Sequence, residues 1–154
     1  KYLGFNFTTK LSLSHSIREL AMKAKGRTVQ ILRCLWRLGN AQRDTFFKMF
    51  DAQVAPVLLY GSERWGFQQL EAIEKAHVFA CKRYLNISAN TPNKFVYGDL
   101  GRFPMYVVAA IRCVKFWLRI LALPEDRLPK KAYKMLHHLE STGKKSWAYH
   151  VKEL

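Results

Sequence analysis

From residue 14 onward the apolar positions recur with the 3.6-residue period of helices, while residues 1–13 alternate. In the opening stretch Tyr2, Phe5 and Phe7 are β-prone, Thr8-Thr9-Lys10 suits a turn, and Leu11 and Leu13 resume the alternation. This predicts a short β-hairpin or extended arm. Ser16 and Glu19 have capping-box spacing, so Ser16 is the expected N-cap of a first helix that runs to Leu38 and stops at Gly39-Asn40. Asn40 can cap a second helix, which Pro56 should kink or end, with a break at Gly61-Ser62. Further helices are expected over 68–85, from Thr91-Pro92 to Gly101, over 104–123, over 129–140, and from Ser146 onward. The expected fold is therefore all-α, a bundle of about six to seven helices with that N-terminal hairpin or arm. Its core should contain Leu20, Leu32, Leu35, Phe47, Ile73, Val108, Val114, Trp117 and Leu121.

Two helical faces carry most of the information. In the first helix Ile17, Leu20, Ala21, Ala24, Ile31, Leu32, Leu35 and Leu38 share a sector of about 120°. Arg18, Lys23, Lys25, Arg27, Arg33 and Arg37 fall outside it, with a thinner stripe of Met22, Val29 and Trp36 among them. Two readings fit: a helix packed on two sides with solvated cations, or a nucleic-acid face. In the second reading the cations meet phosphates and the stripe rests on sugars or a base. The helix over 104–123 is apolar around most of its circumference, which predicts a central place in the bundle. Its polar rail of Arg112, Lys115 and Arg119 either snorkels to water or meets a polyanion.

The charge strengthens the polyanion reading. The chain has 154 residues, 26 Lys+Arg and 11 Asp+Glu, a formal net charge of +15. Residues 1–50 hold 10 basic and 2 acidic side chains and residues 101–154 hold 11 and 4, around a neutral centre with 5 of each. Such an excess points to nucleic acid or an anionic surface. No apolar run approaches the ~20 residues that span a membrane, and a basic helix whose apolar face enters a core has none left for lipid. No membrane partner is expected.

Candidate chemistry is sparse. The cysteines Cys34, Cys81 and Cys113 are odd in number and far apart, unlike a disulfide framework or a zinc ribbon. His77 and Cys81 share a helical face four residues apart, but two ligands do not make a zinc site, and a satisfied core histidine is the simpler reading. His137-His138 carry no metal signature. Asn6-Phe7-Thr8 and Asn86-Ile87-Ser88 match the glycosylation sequon; without a secretion signal both read as chance. There is no Gly-rich phosphate loop and no catalytic constellation. The chain opens at Lys1 without methionine or signal peptide and stops inside a periodic stretch, as a piece of a longer polypeptide would.

Several segments together resemble a known family. Lys1-Tyr2-Leu3-Gly4-Phe5 resembles the element that closes the palm of reverse transcriptases from non-LTR (LINE-type) retrotransposons. The rest is similar to the C-terminal extension of those polyproteins. The Lys23-Ala24 helix with Leu38-Gly39 and then Phe50-Asp51 match first. Val54-Ala55-Pro56-Val57-Leu58-Leu59-Tyr60-Gly61-Ser62-Glu63 and Trp65-Gly66 follow, then Ile73-Glu74-Lys75 with Cys81-Lys82. Pro92-Asn93, Val96-Tyr97-Gly98-Asp99-Leu100-Gly101-Arg102 and Lys115-Phe116-Trp117 complete the pattern. It spans about residues 1–125, most specifically in the Leu-Tyr-Gly-Ser-Glu and Gly-Asp-Leu-Gly-Arg stretches.

The resemblance implies three regions: 1–13 as the end of the palm, 14–123 as a thumb and connector bundle, and 124–154 as a linker with further helices. It implies a primer-grip-like role for Tyr2, Leu3 and Gly4. Arg18, Lys25, Arg33, Trp36, Arg37, Arg112, Lys115 and Arg119 are the candidate contacts to a template–primer duplex of RNA or RNA–DNA. The family's metal-binding aspartates lie upstream of this element. The piece is therefore expected to be non-catalytic and to hold no cofactor, while the parent polymerase would need Mg2+. The implied partners are the duplex and the upstream palm of the same polyprotein, within a cytoplasmic and nuclear ribonucleoprotein. The alternative is a helical protein-interaction module derived from a decayed or co-opted element.

Overall fold

A computed structural model describes residues 4–6, 13–39, 41–67, 70–142 and 146–152. These residues form α1 (Ser14–Arg37), α2 (Arg43–Met49), a π-helical turn (Phe50–Val54), α3 (Ala55–Leu58), α4 (Ser62–Trp65) and α5 (Leu70–Leu85). Then follow α6 (Asn93–Leu100), α7 (Met105–Leu121), α8 (Leu128–Ser141) and α9 (Trp147–Lys152). The all-α bundle is as expected. Among the described residues eight continuous helical rods are found, more than the six to seven expected, and no strand. The expected hairpin, with Tyr2 and Leu3, lies largely outside the described residues, as does the cap assigned to Asn40.

Local chemistry explains the boundaries. Gly39 at φ +63° and Gly101 at φ +57° end α1 and α6 in the left-handed conformation that glycine adopts without penalty. Ser146 caps α9, its Oγ accepting Tyr149 N–H at 3.5 Å. Two expectations need correction. Pro56 does not end its helix at that point: the ladder widens into the π-helical turn just before it and helix continues to Leu58. Proline lacks the N–H that an α-turn would use, and the π-turn absorbs that loss. Ser16 is not the N-cap, which is Leu13 with no side-chain cap. Ser16 is buried and serves the N-terminal arm instead, accepting Asn6 N–H at 2.8 Å and donating to Asn6 C=O at 3.0 Å. Glu19 accepts the Asn6 side-chain amide at 3.0 Å. The spacing that suggested a capping box thus fastens the arm to α1.

The chain divides into two compact units, residues 1–60 with 69–107, and residues 61–68 with 108–154. In the first, α1 packs along α5 and against α3 and the π-helical turn. Its core joins Ile17, Leu20, Ile31, Leu32 and Leu35 of α1 to Phe46, Phe47, Phe50, Leu58, Ile73 and Cys81. Leu38, placed with the α1 core by periodicity, lies past the helix end and is 71% exposed. Rings run in contact from Tyr84 to Phe46 at 5.0 Å, from Phe50 to His77 at 5.6 Å and from His77 to Tyr97 at 5.7 Å.

In the second unit Trp65, Cys113, Ile120, Ala148 and Val151 are buried. Trp147 Nε1 donates to the Glu63 carbonyl and Trp117 Nε1 to the Tyr133 hydroxyl, each at 3.0 Å. The central place expected for α7 is not what the structure shows. Val108 and Leu121 are exposed, and Val114 and Trp117 are only half-buried.

Candidate nucleic-acid interface

The outward side of α1 is the candidate surface. Arg18, Met22, Lys25, Val29, Arg33 and Trp36 lie within about 80° of one another and extend about 27 Å along the helix. Met22 is 73% and Trp36 51% exposed while Val29 between them is half-buried, so the thin apolar stripe meets solvent at both ends. Arg18, Arg33 and Arg37 are exposed and Lys25 is half-buried.

The packing of α1 on α5 extends this surface with residues that sequence reading missed. Lys25 Nζ stands 5.5 Å from the centre of the Phe79 ring and the Arg83 guanidinium 5.8 Å from it. These are cation–π distances. The two cations and the ring border a groove of about 710 Å³, whose walls include Lys75, Lys82 and Ile87. Phe79 and Arg83 are four residues apart and lie off the Ile73–His77–Cys81 stripe. That offset was the signal available in the sequence.

The carboxylates around the groove are already engaged. Glu71 pairs with Lys75 at 2.5 Å, and that contact, helped by the Lys75 and Arg18 charges, holds its carboxyl below the usual range. Glu74 turns to the start of α7, where Oε2 accepts Met105 N–H at 2.8 Å and Tyr106 N–H at 3.3 Å. Lys82 Nζ donates to the Ala89 carbonyl at 2.7 Å. Among the described residues no ion pair joins Arg18, Lys25, Arg33, Arg37 or Arg83. The surface therefore carries cations and accessible apolar groups with little local neutralisation, a composition that attracts phosphate backbones.

The other predicted residues fall elsewhere. Arg112, Lys115 and Arg119 belong to the second unit, where Arg64 of α4, also missed from the sequence, joins them around Phe116 in a groove of about 470 Å³. Gly4 has φ +86°, and a β-carbon there would lie 3.4 Å from the Tyr60 ring, on which Phe5 stacks at 5.2 Å.

His77 is a core residue, as expected, but not a satisfied one. It is fully buried and neither ring nitrogen has a hydrogen-bond partner. Its nearest carboxylate oxygen, on Glu74, is 3.8 Å away. Among the described residues no three His, Cys, Asp or Glu side chains gather as a metal site. Burial pushes the Cys81 thiol up to about 12 and the Cys113 thiol up to about 11, while Cys34 is exposed. No helix is long and apolar enough to cross a membrane among the described residues.

The class these features define is a basic all-α domain with a cationic and aromatic helix face. Compared with protein-family models, curated proteins and solved structures, the chain gives no match.

Proposed function

We propose that the chain is the thumb and connector of a LINE-type retrotransposon RNA-directed DNA polymerase, and that it grips the backbone of a template–primer duplex. One observation carries the reading: Lys25 and Arg83 flank Phe79 beside a helix face whose exposed side chains are Arg18, Met22, Arg33 and Trp36. A duplex that slides as it is copied must be held through its phosphates and sugars, since base-edge contacts would stall it at particular sequences. Cations on a rigid helix with apolar side chains between them meet that need. The sequence resemblance supports the same assignment. In this reading the metal-dependent chemistry belongs to the palm upstream, the chain's second partner, and the complex acts in a cytoplasmic and nuclear ribonucleoprotein.

The test is the salt dependence of binding to an RNA–DNA hybrid duplex. Each phosphate neutralised contributes about 0.9 to the log–log salt slope on a DNA duplex. Replacing Arg18, Lys25 and Arg33 together by glutamine should flatten the slope by roughly 2 to 3 units, and by about equal amounts on hybrids of different sequence. An unchanged slope rejects the α1 face as the grip.

A further inference from the structure

The second unit carries a different surface, independent of the nucleic-acid reading. The buried side of α7 consists of Ala109, Cys113 and Ile120. Its opposite side is open: Val108 is 36%, Ile111 49%, Leu118 54% and Leu121 40% exposed. These positions are not scattered. Val108, Ile111, Lys115, Leu118 and Ala122 follow the alternating three- and four-residue steps of a coiled-coil seam, with Lys115 at its middle core position. Arg112 and Arg119 then occupy the flanking positions on one side, and Val114 and Leu121 those on the other. Residues 105–121 contain these three cations and no carboxylate, and the groove they line with α4 adds one more cation, Arg64, and one carboxylate, Glu63.

We propose that this face docks an amphipathic acidic helix of another polypeptide. The occupant would set apolar side chains against Ile111 and Leu118, a carboxylate against Lys115, and acidic residues along the Arg119 edge. Charge argues against a second copy of this chain. A parallel pair would bring Lys115 against its own counterpart across the seam. An antiparallel pair would bring Arg112 and Arg119 against theirs. A polar residue at one core position of such a seam selects the partner able to neutralise it, at some cost in affinity.

The experiment uses the 154-residue chain and two synthetic 21-residue helical peptides. Both carry leucine at the core heptad positions; one has glutamate and the other lysine at the flanking positions. Fluorescence anisotropy should show the glutamate peptide binding at least tenfold more tightly than the lysine peptide. Leu118→Ser should weaken binding about tenfold, and as an exposed position it should leave the circular dichroism unchanged. Lys115→Glu with Arg119→Glu should invert the preference between peptides, which a merely unfolded variant would not do. Equal binding of both peptides, or of neither, overturns the proposal. So does sedimentation showing a dimer that Leu118→Ser dissolves, or binding to vesicles of anionic phospholipid without peptide binding. A flattened salt slope on the RNA–DNA hybrid after Lys115→Gln and Arg119→Gln assigns the face to nucleic acid and equally overturns it.

Discussion

Replacing Glu74 by alanine should cost about as much as emptying a core position, although Glu74 is not part of the apolar core. Its Oε2 accepts the first two N–H groups of α7, and its Oε1 accepts the Tyr97 hydroxyl of α6 and lies 3.8 Å from His77 Nδ1. One α5 side chain therefore does the work of an N-cap for α7 and anchors α6. Loss of a cap costs about 0.5–2 kcal/mol, and hydrogen bonds to an ionised group contribute about 1.5–3 kcal/mol. These shares overlap, so Glu74→Ala should cost about 3 kcal/mol, a large part of a typical stability of about 5–15 kcal/mol. Glu74→Gln retains one acceptor oxygen, which can serve α7 or Tyr97 but not both, and should cost about half as much.

The pH dependence separates this account from simple packing loss. Burial works to raise the Glu74 pKa, but His77, the Tyr97 hydroxyl and the Tyr106 N–H outweigh it and hold the carboxyl below its ordinary 4.5. A carboxylate depressed on folding contributes stability that is complete above its unfolded pKa and is lost as pH falls through the folded one. Urea unfolding followed by circular dichroism should show a constant gap between wild type and Glu74→Gln from pH 7 to about 5, narrowing below about 4. A Glu74→Ala gap under about 1 kcal/mol, or a gap that widens toward acid, refutes the reasoning.

Trp36→Ala should cost well under the ~3–5 kcal/mol of a buried aromatic, because Trp36 is 51% exposed, yet weaken hybrid-duplex binding at every salt concentration. Trp65→Ala, at 3% exposure, should show the full stability loss in the same urea titration. Gly66→Ala should destabilise the chain by about 1–3 kcal/mol through overpacking, since its β-carbon would lie 2.6 Å from the Ser62 carbonyl oxygen and 2.7 Å from Cys113 Sγ; unchanged unfolding would show that the α4 turn yields. A thiol reagent at pH 8 should modify Cys34 rapidly in the native chain, and Cys81 and Cys113 only in denaturant, because burial keeps both of those protonated.

What the sequence revealed depended on whether the relevant partner was local. The α1 core stripe was legible because 24 residues of one helix repeat the same period, and the glycine stops at 39 and 101 were legible because each acts within its own turn. The role of Ser16 is not legible locally because its partner, Asn6, is ten residues away on a segment with no helical signal. Glu74 carries no local signal of its acceptor role, which appears once α5 meets residues 97, 105 and 106. The error on α7 has a different origin. An apolar circumference shows that cover is favourable on every side but not which polypeptide supplies it.

The placement of carboxylates turns a diffuse net charge into a directed one. In the first unit Glu19 holds the Asn6 amide, Asp51 takes Arg102 through two hydrogen bonds at 2.6 and 2.8 Å, Glu71 takes Lys75, and Glu74 takes the start of α7. Glu19 and Glu74 join the arm and α7 to the bundle, Asp51 holds Arg102, and Glu71 stays on the exposed surface of α5; none lies within ion-pair distance of Lys25, Arg33 or Arg83. Neutralisation is thus strong where helices are joined, and on the solvent side of α5 the Glu71–Lys75 pair supplies it. A chain that needed only solubility could intersperse its acids among these exposed cations, which would lower self-repulsion at no cost to packing. Their engagement with other partners leaves Arg18, Lys25, Arg33 and Arg83 outside the ion pairs found among the described residues. That selective lack of neutralisation, more than the total of +15, is the physical reason to seek a phosphate backbone there.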